Sequence, residues 1–444
     1  MPRRRTPTLP LPTVWFAAVV AATGLALLAW SGDSWDVLLV IEGALVALFA
    51  VDALLAPSPR AIEVVRDVPS TLRAGDGGAM SWRIENRAAR PAVVVMNDAL
   101  WPSLGARRRG GPMRLGPGER VLLRSELAPS RRGRFPLEAV TVRVTGPMRL
   151  AYRQTTRSVP DVVRVMPAYP SRAAVRRRVR SPRVADLGVR SVRRAGGGTE
   201  FDQLREFRPD DEFRRIDWPS TVRLQRPIVK QYRAERNQNV VVLLDNGRMM
   251  AGTLGDVARV EHAMDAALGL TEAAVELGDR VGLVCFDRQV RALVTSSSSS
   301  AQMARVAEAM YLLEPDLAES AYGAAFSYAA SRFRRRSLYV VLTDLSEATV
   351  AQALLQALRI LVRTHVVVVA AVRDPEVDAW ARDAGHQWPS EVFRTAAAIG
   401  AGHQRERTAA MLRAAGVIVV DAVPGQLALD VVDTYIDLKA SGRL

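Results

Sequence analysis

The sequence predicts a chain of three parts: two N-terminal transmembrane helices, a β-sandwich-like domain, and a C-terminal α/β domain with a doubly wound sheet. Three observations predict this. Two apolar runs lie close together near the N terminus, alternating strands separated by turns fill the middle, and apolar strands alternate with helical patterns after residue 239. With 444 residues the chain is long enough for more than one core.

The two apolar runs predict a helical hairpin over residues 14–56. Val14–Trp30 carries no charge, whereas Val37–Leu55 is interrupted by Glu42 and Asp52. Each run has about the length that a helix needs to cross ~30 Å of hydrocarbon. Arginines before the first run also fit a secretory signal peptide. The second run, so close behind, favours the hairpin.

Charge predicts how the hairpin lies in the plasma membrane. Arginines flank both outer ends, including a basic N terminus at residues 1–13, whereas the connecting loop has aspartates and no Lys or Arg. The positive-inside rule then places both termini and the large remainder in the cytosol. Glu42 lies about one turn into the second span, so we interpret it as reaching the headgroups. A functional intramembrane carboxylate is the alternative.

The region 61–166 predicts a β-sandwich, because short alternating segments are separated by turn-rich pieces. Arg107–Gly111 and Arg131–Arg134 are interpreted as solvated loops, with contact to lipid headgroups as the alternative. An Arg/Gly-rich linker at 167–198, mobile or draped over a neighbour, follows. The predicted strands are Ile62–Val65, Met80–Ile84, Val93–Met96, Val121–Ser125, Ala139–Val144 and Val162–Val165.

The segment 199–238 holds a distinctive motif, TEFDQLREFRPDDEFRRIDWPSTVR. Here the chain resembles the domain of unknown function 58 family, with departures at Phe207 and Asp210. From the residues alone we expect an ion-pair network, with Phe201, Phe207, Ile216 and Trp218 as apolar anchors that dock the segment on the next domain. A partner-docking surface is the alternative. The family signature is matched at Glu200, Phe201, Leu204, Arg205, Pro209, Asp211, Arg215, Ile216, Asp217 and Trp218.

The resemblance implies a context as well as a fold. Members of this bacterial and archaeal family share the layout of a hairpin and a sandwich upstream of the motif. They are often encoded beside a MoxR-type AAA+ ATPase, and such pairs are thought to assemble or mature other complexes. The resemblance therefore implies that the ATPase and an unknown client protein are partners of this chain.

Residues 239–444 predict a parallel sheet flanked by helices. The strands are expected at Val240–Asp245, Arg280–Phe286, Gln289–Val294, Leu338–Thr343, Val366–Val372 and Val417–Val420. The helices are expected at Asp256–Leu277, Ala301–Leu313, Tyr322–Phe333, Thr349–Val362, Gln404–Ala415 and Gln426–Leu438.

Two aspartates, Asp245 and Asp344, follow strands of this sheet, where such folds bind ligands. This is similar to the von Willebrand factor A domain, whose metal site (MIDAS) combines Asp-x-Ser-x-Ser with a later Thr and Asp. Here Gly247 and Met249 replace the two serines, and Ser320 could supply a hydroxyl. We therefore expect Asp245, Ser320 and Asp344 to form a degenerate MIDAS-like site without a cofactor, with Mg²⁺ as the alternative. The aspartates would otherwise cap turns or pair with Arg248.

The favoured function is a membrane-anchored interaction protein, not an enzyme, since no nucleophile, phosphate-binding or zinc motif appears. A metal-dependent hydrolase using Asp245 and Asp344 is one alternative. The net charge of +15 leaves an arginine-driven binder of anionic lipid or nucleic acid as another. No specific nucleic-acid motif accompanies the charge.

Overall fold

The computed structural model describes residues 9–28, 35–181, 184, 200–208, 213, 216–233, 238–346, 348–383, 385 and 388–444. The chain divides into two compact units, Met1–Met166 and Pro167–Leu444. Each unit is described by itself.

Unit 1 begins with a two-residue strand, β1 (Leu11–Pro12), and two apolar helices, α1 (Val14–Leu28) and α2 (Trp35–Leu55). In the part of the chain that is described, one helical stretch is long and apolar enough to cross a membrane, Leu39–Ala61, with a mean hydropathy of 2.2. The described apolar part of α1 is shorter, Val14–Ala26. The predicted end of the first span lies outside the described residues.

The rest of unit 1 is rich in strands. All the segments predicted as strands in this region are confirmed, and most extend beyond their predicted bounds. In the described chain, β2, β4 and β7 form one sheet, and a second has the order β1-β9-β8-β5-β6 with β3 on β9. Alternate residues of β4, β5 and β8 are buried, as expected for strands with one face on a core. The strands are β2 (Ile62–Asp67), β3 (Thr71–Arg73), β4 (Gly78–Asn86), β5 (Ala92–Asp98), β6 (Gly110–Leu115), β7 (Arg120–Leu127), β8 (Gly133–Thr145) and β9 (Ala151–Met166).

A buried arginine links the two sheets of unit 1. Arg66 on β2 donates from Nη2 to Asp98 Oδ1 at 2.7 Å and from Nη1 to Asp161 Oδ2 at 3.1 Å. Trp82 on β4 donates to the same Asp98 at 2.7 Å. The predicted solvated loops are corrected in part, because β6 begins at Gly110 and Arg132 is buried.

Unit 2 is an α/β unit. In the described residues its main sheet has the order β16-β15-β12-β17-β18-β19, in which β16 is an antiparallel edge strand and its other pairings are parallel. The strands are β10 (Glu200–Glu206), β11 (Ile228–Arg233), β12 (Asn239–Asp245), β13 (Thr253–Leu254), β14 (Val257–Ala258), β15 (Arg280–Phe286), β16 (Val290–Ser297), β17 (Ser337–Leu342), β18 (Val366–Val372) and β19 (Ile418–Ala422).

The helices of unit 2 cover both faces of this sheet. Val241 and Leu243 on β12 pack in one core with α7, α8 and α10, and the alternate residues of β12 point to the opposite face, where α5 contacts the strand. The helices are α3 (Arg172–Val179), α4 (Trp218–Leu224), α5 (Arg259–Glu276), α6 (Gln302–Met310), α7 (Tyr322–Arg332), α8 (Ala348–Val362), α9 (Pro375–Arg382), α10 (Pro389–Ala414) and α11 (Leu427–Ala440).

The predicted elements of the α/β region are confirmed, with several differences. The helix predicted from Asp256 begins at Arg259, because Val257–Ala258 pairs with Thr253–Leu254 as β14. Helix α9 was missed, α10 begins at Pro389 and not at Gln404, and β16 continues past the predicted Val294 to Ser297. The first half of α10 is largely exposed, so apolar periodicity does not reveal it.

Helix α3 lies inside the segment interpreted as a linker. Its buried residues include Val175, and its arginines pair with acids of other helices. Arg176 Nε donates to Glu272 Oε1 of α5 at 2.6 Å, and Tyr169 donates to the same carboxylate at 2.6 Å. Residues 172–179 of the predicted linker therefore form a helix that packs against α5, as in the draped form of that prediction, and the acid that pairs with Arg176 lies about a hundred residues downstream. Residues 185–198 lie outside the described chain.

Candidate functional site

The two strand-end aspartates lie side by side at the carboxyl edge of the main sheet. Asp245 is the last residue of β12, and Asp344 follows β17. The two strands are parallel neighbours with Leu244 paired with Leu342, so their carboxyl ends meet at one edge. Thr343 confirms the closeness, since its Oγ1 donates to Asp245 Oδ2 at 2.6 Å.

The Asp245 carboxylate is enclosed by donors. Ser320 Oγ donates to Oδ1 at 2.5 Å, and the Gly247 backbone N–H donates to the same oxygen at 2.9 Å. The other oxygen accepts from Tyr322 OH at 2.7 Å and from Thr343. Both carboxylate oxygens therefore have two donors in a site that is almost fully buried. The aspartate caps the turn that follows its strand.

Two of these donors, Tyr322 and Thr343, were not predicted from the sequence, whereas Ser320 was. Burial first, and then the Asp245 charge, raise the pKa of Tyr322 well above its ordinary value, which keeps its hydroxyl protonated and donating. Thr343 carries a weak signal, a hydroxyl directly before a strand-end aspartate. Tyr322 carries none, because it opens a helix 77 residues from Asp245.

Gly247 is explained by a close approach. A Cβ at this position would lie 2.0 Å from Ser320 Oγ, and 3.2 Å from the Ala318 carbonyl oxygen. The space that a serine side chain would take at residue 247 is thus filled by the hydroxyl of Ser320. A side chain at residue 247 and the hydroxyl of Ser320 therefore cannot both be accommodated here, which explains why glycine replaces the motif serine.

Asp344 is held by arginine. Arg405 on α10 donates from Nη1 to Asp344 Oδ1 at 3.0 Å, and Arg259 Nη1 lies 3.6 Å from Asp344 Oδ2. Arg405 also donates to both oxygens of Asp421 on β19, from Nε at 3.0 Å to each. The Ser346 backbone N–H donates to Asp344 at 3.1 Å, so this aspartate also caps a turn.

The arginines set the ionisation of Asp344. Burial by itself raises the pKa of this carboxyl, but the charges of Arg405 and Arg259 and the hydrogen bond from Ser346 outweigh it and lower the pKa below the ordinary value. For Arg405, burial by itself lowers the pKa, but the hydrogen bonds and charges of Asp421 and Asp344 outweigh it and raise the pKa above its ordinary value. The cluster is therefore a buried network of opposite charges.

The residues nominated for a MIDAS-like metal, Asp245, Ser320 and Asp344, do not fit Mg²⁺. Hydroxyl and amide donors point at Asp245, and two guanidinium groups face Asp344, which repels a divalent cation. No group of three or more His, Cys, Asp or Glu that could hold a metal is found among the residues described.

Exposed side chains lie on the loops beside Asp245. We define the strand-end rim as Arg248, Arg288, Leu317 and Glu319. The loop that carries Leu317 lies over the turn after β12, because Arg248 N–H donates to the Ala318 carbonyl at 3.0 Å. Arg248 Nη2 lies 3.8 Å from Glu319, so it pairs there and not with Asp245. Leu317 is 75% exposed, an apolar side chain in a charged setting.

The family motif forms a hairpin. β10 and β11 pair in antiparallel fashion, Ile216 bridges Val229, and Glu206 pairs with Arg226. Trp218, expected to be a buried anchor, is 65% exposed at the start of α4, so that expectation is wrong. Glu200, Phe201, Leu204 and Arg205 lie on β10, Asp217 and Trp218 flank the start of α4, and Pro209, Asp211 and Arg215 lie outside the described residues.

Comparisons with known proteins give one family and several distant structures. The model of the family described as "Protein of unknown function DUF58" matches residues 203–383. A search of curated proteins gives no match. The conserved hypothetical protein BatB from Bacteroides thetaiotaomicron is 17% identical, with 46% of this chain and 100% of that chain covered and a TM-score of 0.31.

Two further solved structures are similar over parts of the chain. Proximal thread matrix protein 1 from the mussel byssus is 12% identical, with 46% of this chain and 48% of that chain covered and a TM-score of 0.29. The ASH/PapD-like domain of human CEP192 is 12% identical, with 25% of this chain and 90% of that chain covered and a TM-score of 0.20.

Proposed function

The chain belongs to the DUF58 family, and from this premise we propose that it is a membrane-anchored interaction protein whose C-terminal domain is von Willebrand factor A-like. In this proposal the strand-end rim binds another protein in the cytosol, and the domain performs no reaction of its own.

One observation supports the proposal: the carboxylate oxygens of Asp245 and Asp344 are already bound by other groups of the protein. Asp245 accepts from three hydroxyls and a backbone N–H, and Asp344 is neutralised by Arg405 and Arg259. A general base needs a carboxylate oxygen that can reach the substrate, and a metal ligand needs a carboxylate oxygen that can reach the ion. Carboxylates locked in this way instead make the edge of the sheet rigid, which suits a preorganised binding surface.

Partner binding at this edge should need no divalent cation. In a MIDAS site the metal supplies the positive charge that attracts a partner carboxylate. Here Arg405 and Arg259 already balance the charge of Asp344, so no metal is needed for that purpose, and the exposed cations of the rim are Arg248 and Arg288, which pair with Glu319 and Asp316. The contact is therefore made by side chains of this chain, with Leu317 as an apolar anchor.

The anchor in this proposal is a two-span hairpin with both ends cytosolic. The length and apolar composition of α2 support its role as a membrane-spanning helix. Phe16 near the start of α1 contacts Phe49 near the end of α2, with ring centroids 5.1 Å apart, so the two helices run antiparallel. The arginine-rich flanks support a cytosolic position for both outer ends.

The proposed partner is a MoxR-type AAA+ ATPase, with a client protein that the pair assembles or matures. This rests on the resemblance of residues 199–223 to the family signature, and on a rim that combines charge with an exposed leucine. Anchoring in a membrane raises the local concentration of the partners, so a modest affinity suffices.

The test is capture of the MoxR-type ATPase of the same cell by the full chain in nanodiscs. Leu317→Asp should weaken capture by about tenfold or more, as for an anchor at the centre of an interface. Leu122→Asp on exposed β7 of unit 1 is the matched control and should leave capture unchanged. Chelation of divalent cations, with nucleotide omitted, should also leave it unchanged. Capture that is insensitive to Leu317→Asp, or that requires a divalent cation, contradicts the proposal.

A further inference from the structure

We propose that the turn between β8 and β9, Gly146–Leu150, is a second membrane contact that rests on the lipid headgroups and seats unit 1 on the bilayer. The inference depends on the proposed anchoring by α1 and α2 and deepens it. It assigns to this turn a partner of stated chemistry, the interface of an anionic bilayer.

The turn is bound to the end of α2 through a buried carboxylate. Asp52, inside the second apolar run, is fully buried. Its Oδ1 accepts from the Met148 N–H at 2.7 Å, and its Oδ2 accepts from the Leu150 and Ala151 N–H groups at 2.8 Å each. A Cβ at Gly146 would lie 2.4 Å from this carboxyl group, so the turn backbone approaches as closely as only glycine permits.

The chain just before α1 is bound to the same turn. Leu11 and Pro12 of β1 pair with Tyr152 and Ala151 of β9. Thr13 N–H donates to the Leu150 carbonyl at 2.9 Å, and Thr13 Oγ1 donates to the carbonyl of the adjoining Arg149 at 2.5 Å. Both outer ends of the helical hairpin therefore converge on one five-residue turn.

This convergence sets the depth of the turn. Asp52 lies three residues before the end of α2, which is about 4.5 Å along a helix axis. Thr13 directly precedes α1. If the helices cross the hydrocarbon, backbone groups bound to their ends must lie within a few ångströms of its boundary. The turn is therefore expected at the interface.

The side chains at this end suit that environment. Apolar side chains are exposed near the ends of the two helices, among them Met148 on the turn, Leu11 on β1 and Leu54 in the last turn of α2. Apolar groups exposed together next to a spanning segment are stable in the interfacial layer.

The charged side chains that β8, the turn and β9 contribute near this end are all arginines, and the acid bound there, Asp52, is buried. Arg143, Arg149, Arg153 and Arg157 lie between residues 139 and 160, and that stretch contains no Asp or Glu. Arg157 also donates to the Pro59 and Arg60 carbonyls, at 3.1 Å and 2.5 Å, which ties the segment after α2 to β9. Arginines near a membrane surface are attracted to anionic headgroups by roughly 1 kcal/mol each. Lipid therefore fits both the apolar and the basic part of the surface.

Depth measurement by spin labelling tests the proposal on the full chain in nanodiscs of phosphatidylglycerol and phosphatidylcholine. Cys285 is the only cysteine and is buried, so Cys285→Ala provides the background. A label at Met148→Cys should collide more with oxygen than with a water-soluble nickel chelate. A label at Val162→Cys is the matched control, because it lies toward the opposite end of the same β8–β9 ladder, about 36 Å along the strand. It should show the reverse.

A third label separates this proposal from the anchoring itself. Ala47→Cys in α2 should report hydrocarbon in either case. If Ala47 reports hydrocarbon while Met148 is as accessible to the nickel chelate as Val162, the membrane contact is refuted and the anchor stands. If Ala47 itself is water-exposed, the anchoring proposal fails first. Nanodiscs of phosphatidylcholine alone test whether the arginines contribute, because these discs carry no anionic lipid. The label at Met148 should become more accessible to the nickel chelate in them, and equal accessibility in both lipids refutes the role of the arginines.

Discussion

Arg405→Leu should be the most destabilising single change at the strand-end site. The substitution keeps much of the side-chain volume but removes the donor to both Asp344 and Asp421. Asp344 is about 1% exposed and would remain as a buried carboxylate whose partners are Arg259, at 3.6 Å, and the Ser346 N–H, at 3.1 Å. Removing one partner of a buried ion pair costs about 3–5 kcal/mol.

The pH dependence distinguishes this cause from a simple packing defect. The pKa of Asp344 is lowered in the folded protein, so its contribution to stability is present above the unfolded pKa of about 3.9 and is lost as the pH falls through the folded value. Without Arg405, burial dominates and the carboxyl prefers its neutral form. The cost of Arg405→Leu should therefore be greatest near neutral pH and shrink as the pH falls through the unfolded pKa.

Pulse proteolysis in urea measures both effects on the full chain in nanodiscs, by following fragments of unit 2 at several pH values. The matched control is Arg407→Leu, an exposed arginine on the same helix, which should change the free energy of unfolding by less than about 0.5 kcal/mol. A loss below about 1 kcal/mol for Arg405→Leu, or a loss independent of pH, would refute the reasoning.

Three further substitutions test the contacts of buried groups. Gly247→Ala forces its Cβ onto the Ser320 hydroxyl, 2.0 Å away, and should cost about 1–3 kcal/mol by urea unfolding. Tyr322→Phe removes one of the donors to buried Asp245 and should cost about 1–3 kcal/mol in the same assay. Asp52→Asn turns an amide nitrogen toward backbone N–H donors, so protease cleavage of the bound turn should increase, with a local cost of about 1–3 kcal/mol.

Each of these changes has a control. Adding Ser320→Ala to Gly247→Ala should restore part of the stability, and an additive loss would show that the clash is not the cause. Tyr328→Phe on the same helix should be nearly neutral, and an equal effect would argue against the Asp245 contact. Asp67→Asn changes an exposed aspartate on β2 and should leave protease cleavage at the turn unchanged. If Asp52→Asn also leaves cleavage unchanged, the Asp52 carboxylate does not hold the turn.

The sequence by itself determined the elements and the position of the candidate site. The apolar runs at β12 and β18 are long enough and uniform enough to require burial on both faces, and they were located to within a residue. Asp245 and Asp344 were placed at one edge by the rule that parallel strands end together. These conclusions depend on local pattern, which the chain carries in every short segment.

Only the tertiary structure decided what those carboxylates do. Tyr322 lies 77 residues from Asp245 and Arg405 lies 61 residues from Asp344, and no local pattern pairs them. The same holds for Asp52, which interrupts an apolar run but is explained by backbone donors 96 to 99 residues away. Periodicity reports which side of an element is buried. Periodicity does not identify the partner of a buried charge. A charged group in a low-dielectric interior needs an oppositely charged or hydrogen-bonding partner, and the fold determines which residue lies close enough to serve.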